Sequence, residues 1–267
     1  MGYTAGNSEG KGFAMIYDLQ KASMWKRISA GMFDGILLGV VAVLFAWLLS
    51  IALGFDVHYQ ALNDSYARYG EEYGVSFDMS LTDYETMTEE TAQALDAAYA
   101  ALGQDEAAVY AWNMVLQLTL TIASLGIFLA FLVMEFTVPM VLGNGQTLGK
   151  KMFGIGLMRT DGVQVNGIAM FVRTALGKYS VETMIPVLIL IMLYFNMIGL
   201  TGTAVLGLML IVQAVLVLAT RRNALLHDCL ASTVCIDVGS QMIFKSREAM
   251  IAYKEKAHAE QAARAPY

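Results

Sequence analysis

The chain has 267 residues, of which 57% are hydrophobic and only 15% are charged, and its formal net charge is −6. Soluble domains carry about 25% charged residues, so this composition excludes an ordinary soluble protein and indicates a chain that folds in a lipid bilayer. Two cysteines and three histidines are too few for a disulfide framework or a histidine-rich metal site, and we expect no metal and no cofactor.

The first predicted membrane helix covers residues 28–55 and follows a polar N-terminal segment, 1–27. Its last 21 residues contain no ionisable side chain, which is enough to cross about 30 Å of hydrocarbon as a helix. Arg27 and Asp34 are seven residues apart and therefore lie on nearly the same helix face. A carboxylate in the bilayer costs about 2.5–3.5 kcal/mol to insert, so we expect Asp34 to face protein or water rather than lipid.

The next segment, 56–111, is an acidic module with twelve acidic residues and one basic residue, Arg68. Apolar and aromatic residues recur in it at the three- and four-residue steps of an amphipathic helix: Tyr59, Leu62, Tyr66, Tyr69 and Tyr73. A second helix is predicted from Thr88 to Leu102, and Thr82 and Glu85 have the spacing of a capping box. The acidic residues could hold a divalent cation, but no calcium-loop spacing is present, and we favour a solvated extracellular surface.

The second predicted membrane helix covers residues 112–142 and carries Glu135. This carboxylate lies about two turns from the cytosolic end of the helix, which is a depth similar to that of Asp34 in the first helix. On antiparallel helices the two carboxylates could form one site, provided that they face each other. The spacing along each helix does not determine whether the two side chains point toward each other.

A basic loop, 143–177, follows the second membrane helix. Its run at 145–151 has the composition of a phosphate-binding loop, but the spacing is wrong and Lys151 stands where the magnesium-binding hydroxyl belongs, so we expect no nucleotide. Apolar residues alternate from Ile155 to Val165 about the turn dipeptide Asp161–Gly162. This pattern predicts a short β-hairpin on the cytosolic surface.

The last membrane segment, 178–220, contains 38 consecutive residues without a formal charge, about 57 Å of helix and nearly two membrane thicknesses. Polar residues and glycines near Asn196 predict a break, and hence a helical hairpin with arms at 178–197 and 202–220. With four membrane helices, every basic residue except Arg68 lies on the side that holds both termini. The positive-inside rule places that side in the cytosol, where the cysteines are reduced.

The tail, 221–267, is predicted to be cytosolic and to form a surface helix beyond Gln241. Taken together, the segments predict an all-α polytopic membrane protein. It has four transmembrane helices, an extracellular helical insertion and a small cytosolic β-hairpin.

Three blocks of residues carry a family resemblance: Arg27 with Asp34, the run at 145–151 with the Asp161–Gly162 turn, and Arg222 with His227 and Asp228 ahead of Thr233. These blocks resemble the RDD family of bacterial membrane proteins, which is named after one arginine and two aspartates. The resemblance covers 26–55 and 112–236 and implies that the named residues are Arg27, Asp34 and Asp228. The acidic module is longer than the family's usual short connector, so the resemblance implies no role for it.

The resemblance implies two kinds of activity, because some RDD proteins are associated with sodium–proton exchange and others with partner membrane proteins. The candidate ion or proton site and ion-pair cluster consists of Arg27, Asp34, Glu135, Glu182, Arg222, His227 and Asp228. One interpretation is structural, with arginines pairing carboxylates and helix ends capped. The other is an exchange site, in which Asp34 or Glu135 alternates between a proton and a cation.

Size argues against transport by a single chain, because four helices can hardly enclose an alternating-access route and no inverted repeat is visible. We therefore expect a homo-oligomer or a second membrane protein, in addition to the lipid bilayer and to Na⁺ or H⁺ as transported ions. The alternative function is that of a non-catalytic membrane partner or regulator of another membrane protein. Hydrolase and protease motifs are missing from the sequence, so we do not expect an enzyme, and we expect no nucleic-acid partner.

Overall fold

The computed structural model describes residues 20–264, so the first 19 residues of the predicted segment 1–27 lie outside the described part. Within residues 20–264, four helices are long and apolar enough to cross a membrane, as predicted. We name them spans 1 to 4: Met24–Ala52, Glu106–Leu142, Gly167–Tyr194 and Gly199–Ala219.

Two of the spans are not uniformly α-helical. The π-helical segments π1, Leu132–Thr137, and π2, Val172–Met184, interrupt spans 2 and 3. The α-helices of the described residues are α1 Met24–Ala52, α2 Phe55–Tyr73, α3 Leu81–Glu85, α4 Glu89–Gln104, α5 Glu106–Phe131, α6 Val138–Leu142, α7 Leu148–Met152, α8 Gly167–Phe171, α9 Ile185–Tyr194, α10 Gly199–Ala219, α11 Leu226–Leu230 and α12 Arg247–Arg264. The strands are β1 Ile155–Arg159 and β2 Thr233–Asp237.

The described chain divides into two compact units. The first unit comprises residues 20–40 and 130–264, and the second comprises residues 41–129. Spans 3 and 4, both strands and all charged residues of the candidate site belong to the first unit. The whole acidic module, 56–111, belongs to the second unit.

The two strands form an antiparallel sheet in which Ile155 pairs with Asp237 and Arg159 pairs with Thr233. The predicted β-hairpin is therefore wrong, because β1 pairs with residues 233–237 and not with the chain that follows the Asp161–Gly162 turn. The turn itself is present: the Gly162 N–H donates to the Arg159 carbonyl at 3.0 Å. The returning chain pairs with β1 at a single isolated bridge, Met158 with Gln164, and Asn166 then caps α8. β2 has a longer run of buried residues than the chain that follows the turn. Pairing β1 with β2 therefore buries more apolar side chains.

The sheet lies in the core of the first unit. Its buried side chains pack with span 1 and α8 in one apolar cluster: Ala22, Ala30, Ile155, Leu157, Val165, Met170 and Cys235. Ala22 N–H also donates to the Cys235 carbonyl at 3.1 Å, so the start of span 1 is tied to the outer edge of β2. A small sheet thus fixes where the first membrane helix begins.

The second unit has three helices between spans 1 and 2, where the sequence predicts two. The stripe of α2 buries Leu62, and α2 packs against α4, whose N-cap is Thr88. The additional helix α3 is capped by Ser80 and Asp83, which exchange side-chain and backbone hydrogen bonds. The predicted capping box at Thr82 and Glu85 is therefore shifted by two residues.

Span 3 begins at Gly167 rather than at the predicted residue 178. The first 16 residues of span 3 include three charged residues, Arg173, Lys178 and Glu182, which lower its hydropathy and hide it from a search for uncharged runs. The break before span 4 lies where the sequence predicts it, with Asn196 in the left-handed region at φ 55°.

Candidate functional site

Asp34 in span 1 is buried and binds the loop that follows span 2. Its carboxylate accepts a hydrogen bond from the Thr147 hydroxyl at 2.5 Å and from the Gly149 backbone N–H at 2.7 Å. A Cβ atom at Gly149 would lie 2.5 Å from the Ala30 carbonyl oxygen, so glycine is required for this close approach. Asp34 is therefore held by a hydroxyl and an amide, whereas the sequence predicts an arginine partner.

The π-helical winding brings the charged residues of span 3 to one side. In an α-helix, the five residues from Arg173 to Lys178 turn the side chain by about 140°, and the nine residues to Glu182 by about 180°. All three residues lie in π2 and line the same cavity. Bonding from residue i to i+5 therefore aligns groups that an α-helix would separate.

Glu135 lies in π1, and its main chain explains part of that winding. Pro139 has no N–H to donate to the Glu135 carbonyl four residues earlier. The Thr174 hydroxyl of span 3 donates to this carbonyl instead, at 2.9 Å. Spans 2 and 3 are thus joined at the residue that carries the buried carboxylate.

Three cations surround the buried Glu135 carboxylate. Lys178 Nζ lies 2.5 Å from Oε1, while Lys150 Nζ and Arg173 Nη1 each lie 3.6 Å from Oε2. Glu135 Oε2 and Arg173 Nη1 have no hydrogen-bond partner among the described residues. A carboxylate oxygen and a guanidinium nitrogen therefore face each other just beyond hydrogen-bonding distance.

Asp228 in α11 is fully buried and joins two membrane helices. Its carboxylate lies 3.2 Å from Arg27 Nη2 of span 1 and 3.1 Å from Arg173 Nε of span 3, and it accepts from the Thr233 hydroxyl at 3.0 Å. Burial alone would raise the pKa of Asp228, but the adjacent positive charges, Arg173 first, hold it well below its usual value. Asp228 is therefore ionised.

His227 lies between Glu182 and Arg173. Its Nε2 is 2.9 Å from Arg173 Nη2 and its Nδ1 is 2.7 Å from Glu182 Oε2. A guanidinium can only donate, so Nε2 accepts a hydrogen bond from Arg173. The ring hydrogen is therefore on Nδ1, which donates a hydrogen bond to Glu182. Burial, followed by the charge of Arg173, lowers the pKa of His227 below its usual value. The imidazole is therefore neutral, in one defined tautomer.

Glu182 also connects span 3 to span 4. Gln213 Nε2 donates to Glu182 Oε1 at 2.7 Å, and Gln213 Oε1 accepts from the Leu226 backbone N–H at 3.1 Å. The His227 backbone N–H donates to the same Glu182 oxygen at 3.1 Å. Gln213 thus acts as the interhelical contact that its position within an apolar span indicates.

These groups surround a cavity of about 360 Å³ within the first unit. Its charged walls are Arg27, Asp34, Glu135, Lys150, Arg173, Lys178 and Glu182, with His227 beside them. Apolar side chains, among them Leu38 and Phe131, complete the lining. Asp228 contacts two of the lining residues, Arg27 and Arg173. With it, four carboxylates match four basic side chains, so the formal charge of the cluster is zero when His227 is neutral.

The structure places six of the seven candidate residues in or against this cavity and places Arg222 elsewhere. Arg222 lines a separate cavity with Thr160, Asp161 and Lys254, and the residue after it, Asn223, adopts a φ of 49°. Its expected role as a partner of the carboxylates is taken by Arg173. Lys150 and Lys178, which pair with Glu135, are missing from the sequence-based site, because they lie on other elements, α7 and span 3, and meet Glu135 only through packing.

No described group of three His, Cys, Asp or Glu side chains is arranged to hold a metal ion. Each carboxylate of the cavity instead faces cations or hydrogen-bond donors of the chain. A buried carboxylate is tolerated when such partners offset its loss of solvation.

Replacing Asp228 with Asn tests the ion pairs that join spans 1 and 3. The variant leaves Arg173 buried without its closest counter-charge, so we expect it to lose about 3–5 kcal/mol of stability, measured by thermal unfolding in detergent. The control is Asp161→Asn, which removes an exposed 2.9 Å pair with Arg159 and should cost less than about 1 kcal/mol. Equal losses in the two variants would contradict the assignment.

The neutral His227 predicts a dependence of stability on pH. Since its pKa is lower in the folded than in the unfolded chain, the unfolded chain binds more protons as the pH falls. The stabilisation is present above about pH 6.5 and is lost as the pH drops below that value.

We expect His227→Gln to flatten the fall in unfolding temperature between about pH 7.5 and 5, since Gln can accept from Arg173 and donate to Glu182 without titrating. His258→Gln, in the exposed part of α12, is the control and should retain the slope. An unchanged slope in the His227 variant would show that another group titrates.

The geometry can be compared with known protein families. The sequence model of the RDD family matches residues 21–232, which is most of the chain. No curated protein and no solved structure matches. The match includes Arg27, Asp34 and Asp228, and it confirms the resemblance seen in the sequence blocks. The chain belongs to the RDD family.

Proposed function

We propose that this protein exchanges protons for monovalent cations across the membrane, and that a cation and Lys178 compete for Glu135. One observation supports this proposal above the others: the Lys178 ammonium lies 2.5 Å from the Glu135 carboxylate in the wall of the 360 Å³ cavity. Both residues belong to membrane-spanning helices. Ionisable groups at such positions are rare and are typical of ion or proton pathways.

The exchange conserves charge at the site. When the Lys178 ammonium releases one proton and leaves Glu135, one Na⁺ or K⁺ takes its place against the carboxylate. Glu135 Oε2, which accepts no hydrogen bond from the described residues, offers the incoming ion an oxygen ligand. Protonation of Lys178 then expels the cation, so that the two ions move in opposite directions.

His227 connects this exchange to pH. Protonation would place a hydrogen on Nε2 and break its bond with Arg173 Nη2, because both nitrogens would then be donors. The other nitrogen of that guanidinium, Nη1, lies 3.6 Å from Glu135 Oε2. The groups that face His227 from the surrounding elements are Glu182, Arg173, Asp228 and Lys178. A protonated His227 thus favours Arg173 at Glu135 over a cation.

The proposed location is the bacterial plasma membrane, with both termini in the cytosol and the acidic module, 56–111, outside. The charge distribution supports this orientation, since Arg68 is the only basic residue between spans 1 and 2. A four-helix chain needs neighbours to complete a transport route, so the proposal includes a homo-oligomer or a second membrane protein.

Labelling of single cysteines tests the orientation. In a background without Cys229 and Cys235, a membrane-impermeant maleimide applied to intact cells should label Asp78→Cys, an exposed position in the acidic module. Lys256→Cys, exposed in α12, should react only after the cells are permeabilised. The reverse pattern would invert the proposed topology.

The alternative is that the protein acts on no ion and no substrate and regulates a partner membrane protein. The acidic surface of the second unit favours this candidate, because its many exposed carboxylates can bind a positively charged protein surface. In neither case do we assign the chain a catalysed reaction.

Reconstitution in lipid vesicles separates the two candidates. With an imposed pH gradient, wild-type protein should give proton flux that depends on added Na⁺ or K⁺ and is missing with choline. Lys178→Arg should abolish the flux while keeping the ion pair, because an arginine does not release its proton in proteins. The control Lys256→Arg, at an exposed position, should transport like wild type.

Two results would contradict the proposal. Normal flux in Lys178→Arg would remove Lys178 from the exchange. Absence of flux in the folded wild-type protein, together with copurification of a second membrane protein, would support the regulator instead.

A further inference from the structure

The second unit contains two adjoining cavities that the proposed ion exchange does not use. The larger cavity, about 700 Å³, is lined by the rings of Tyr66, Phe77 and Tyr99 and by carboxylates that include Glu71. The smaller, about 290 Å³, shares Tyr66 and Tyr99 and is otherwise apolar. The two cavities therefore meet at a pair of tyrosines.

The chain just after α2 contributes Phe77 to the aromatic wall, beside Tyr66 of α2 and Tyr99 of α4. A Cβ atom at Gly70 would lie 2.9 Å from the Val75 carbonyl oxygen, so glycine lets this segment fold back closely onto α2. The fold-back places the Phe77 ring 5.0 Å from the Tyr66 ring and 5.1 Å from the Tyr99 ring. Tyr99 remains 51% exposed, so ring surface is available to a ligand.

The charge of the surroundings selects a cation. Glu71 and Asp78 are exposed at the larger cavity. The single basic residue of the module, Arg68, is engaged elsewhere, in an ion pair with Asp105 and over the ring of Tyr69. Aromatic faces are electronegative and attract organic cations, and nearby carboxylates add to that attraction.

The smaller cavity selects an apolar group. Its lining includes the buried side chains of Leu62 and Leu102 and the half-exposed ring of Trp112 at the start of span 2. Small-molecule sites typically have volumes of about 300–1,000 Å³ and combine apolar walls with a few polar groups. Both cavities are of that order.

We propose that this pair of cavities binds a soluble amphipathic organic cation, with an ammonium head at the rings of Tyr66, Phe77 and Tyr99 and an apolar body beside Leu62, Leu102 and Trp112. The carboxylates Glu71 and Asp78 stabilise the head, and the tyrosines shared by both cavities contact head and body. The acidic module is thus a ligand-binding unit as well as a solvated surface.

Isothermal titration of the full-length protein tests this assignment in nanodiscs of phosphatidylethanolamine and phosphatidylglycerol, with empty discs as the blank. The probes are benzyltrimethylammonium, choline, and 3,3-dimethylbutan-1-ol, which has the shape of choline without the charge. Choline should bind about tenfold more tightly than the neutral alcohol. Benzyltrimethylammonium should bind more tightly than choline, because it also fills the apolar cavity.

Two sets of variants measure separately how much the rings and the carboxylates contribute to ligand binding. Tyr99→Leu should weaken benzyltrimethylammonium binding about tenfold, and Tyr99→Phe should retain it, because the ring face is kept. Glu71→Gln should weaken binding about threefold and reduce its sensitivity to salt. The controls are Tyr84→Leu, at an exposed tyrosine of α3 outside both cavities, and Glu90→Gln, at an exposed glutamate of α4; neither should change binding.

Equal affinity for choline and the neutral alcohol would overturn the proposal, as would unchanged binding in both Tyr99→Leu and Glu71→Gln. Loss of binding in phosphatidylcholine discs would assign the site to a lipid headgroup instead of a soluble cation. Binding of a lysine-rich peptide without binding of benzyltrimethylammonium would assign it to a protein partner. Because the probes are not transported ions, each result is independent of the vesicle flux assay.

Discussion

The buried carboxylate of Asp228 is the constraint on which the first unit depends. It lies within 3.2 Å of guanidinium nitrogens from two membrane helices, Arg27 of span 1 and Arg173 of span 3. A buried charge is tolerated only when it is paired and hydrogen-bonded, so the Asp228 carboxylate requires these two guanidinium groups. The short helix α11 thereby fixes the separation of spans 1 and 3.

The two π-helical segments extend this network to the cavity. They turn Glu135 toward span 3 and align Arg173, Lys178 and Glu182 along one side of that span. π-Helical bonding is rare and is found often at functional sites. Here it allows one helix to present two cations and a carboxylate to the same cavity, and His227 links two of these groups through a single tautomer.

The sequence predicted much of this arrangement and missed parts for identifiable reasons. Uncharged runs gave the four spans, but the start of span 3 was lost because its charges are paired inside the protein and do not face lipid. The cost of inserting a carboxylate into the bilayer predicted that Asp34 avoids lipid, and Asp34 is buried. Its partners, Thr147 and Gly149, lie more than a hundred residues away in the chain. Local alternation predicted a hairpin, but the second strand comes from residues 233–237.

By itself, the sequence determined the membrane class, the number of spans, the acidic character of residues 56–111 and the family, because composition, hydropathy and the spacing of charged residues are properties of the chain alone. Only the tertiary structure decided which cation meets which carboxylate. It exchanged Arg222 for Arg173, brought Lys150 and Lys178 to Glu135, and gave Asp34 a hydroxyl and an amide. The physical reason is that helix winding and packing set the direction of a side chain, and the π segments depart from the α-helical period that sequence patterns assume.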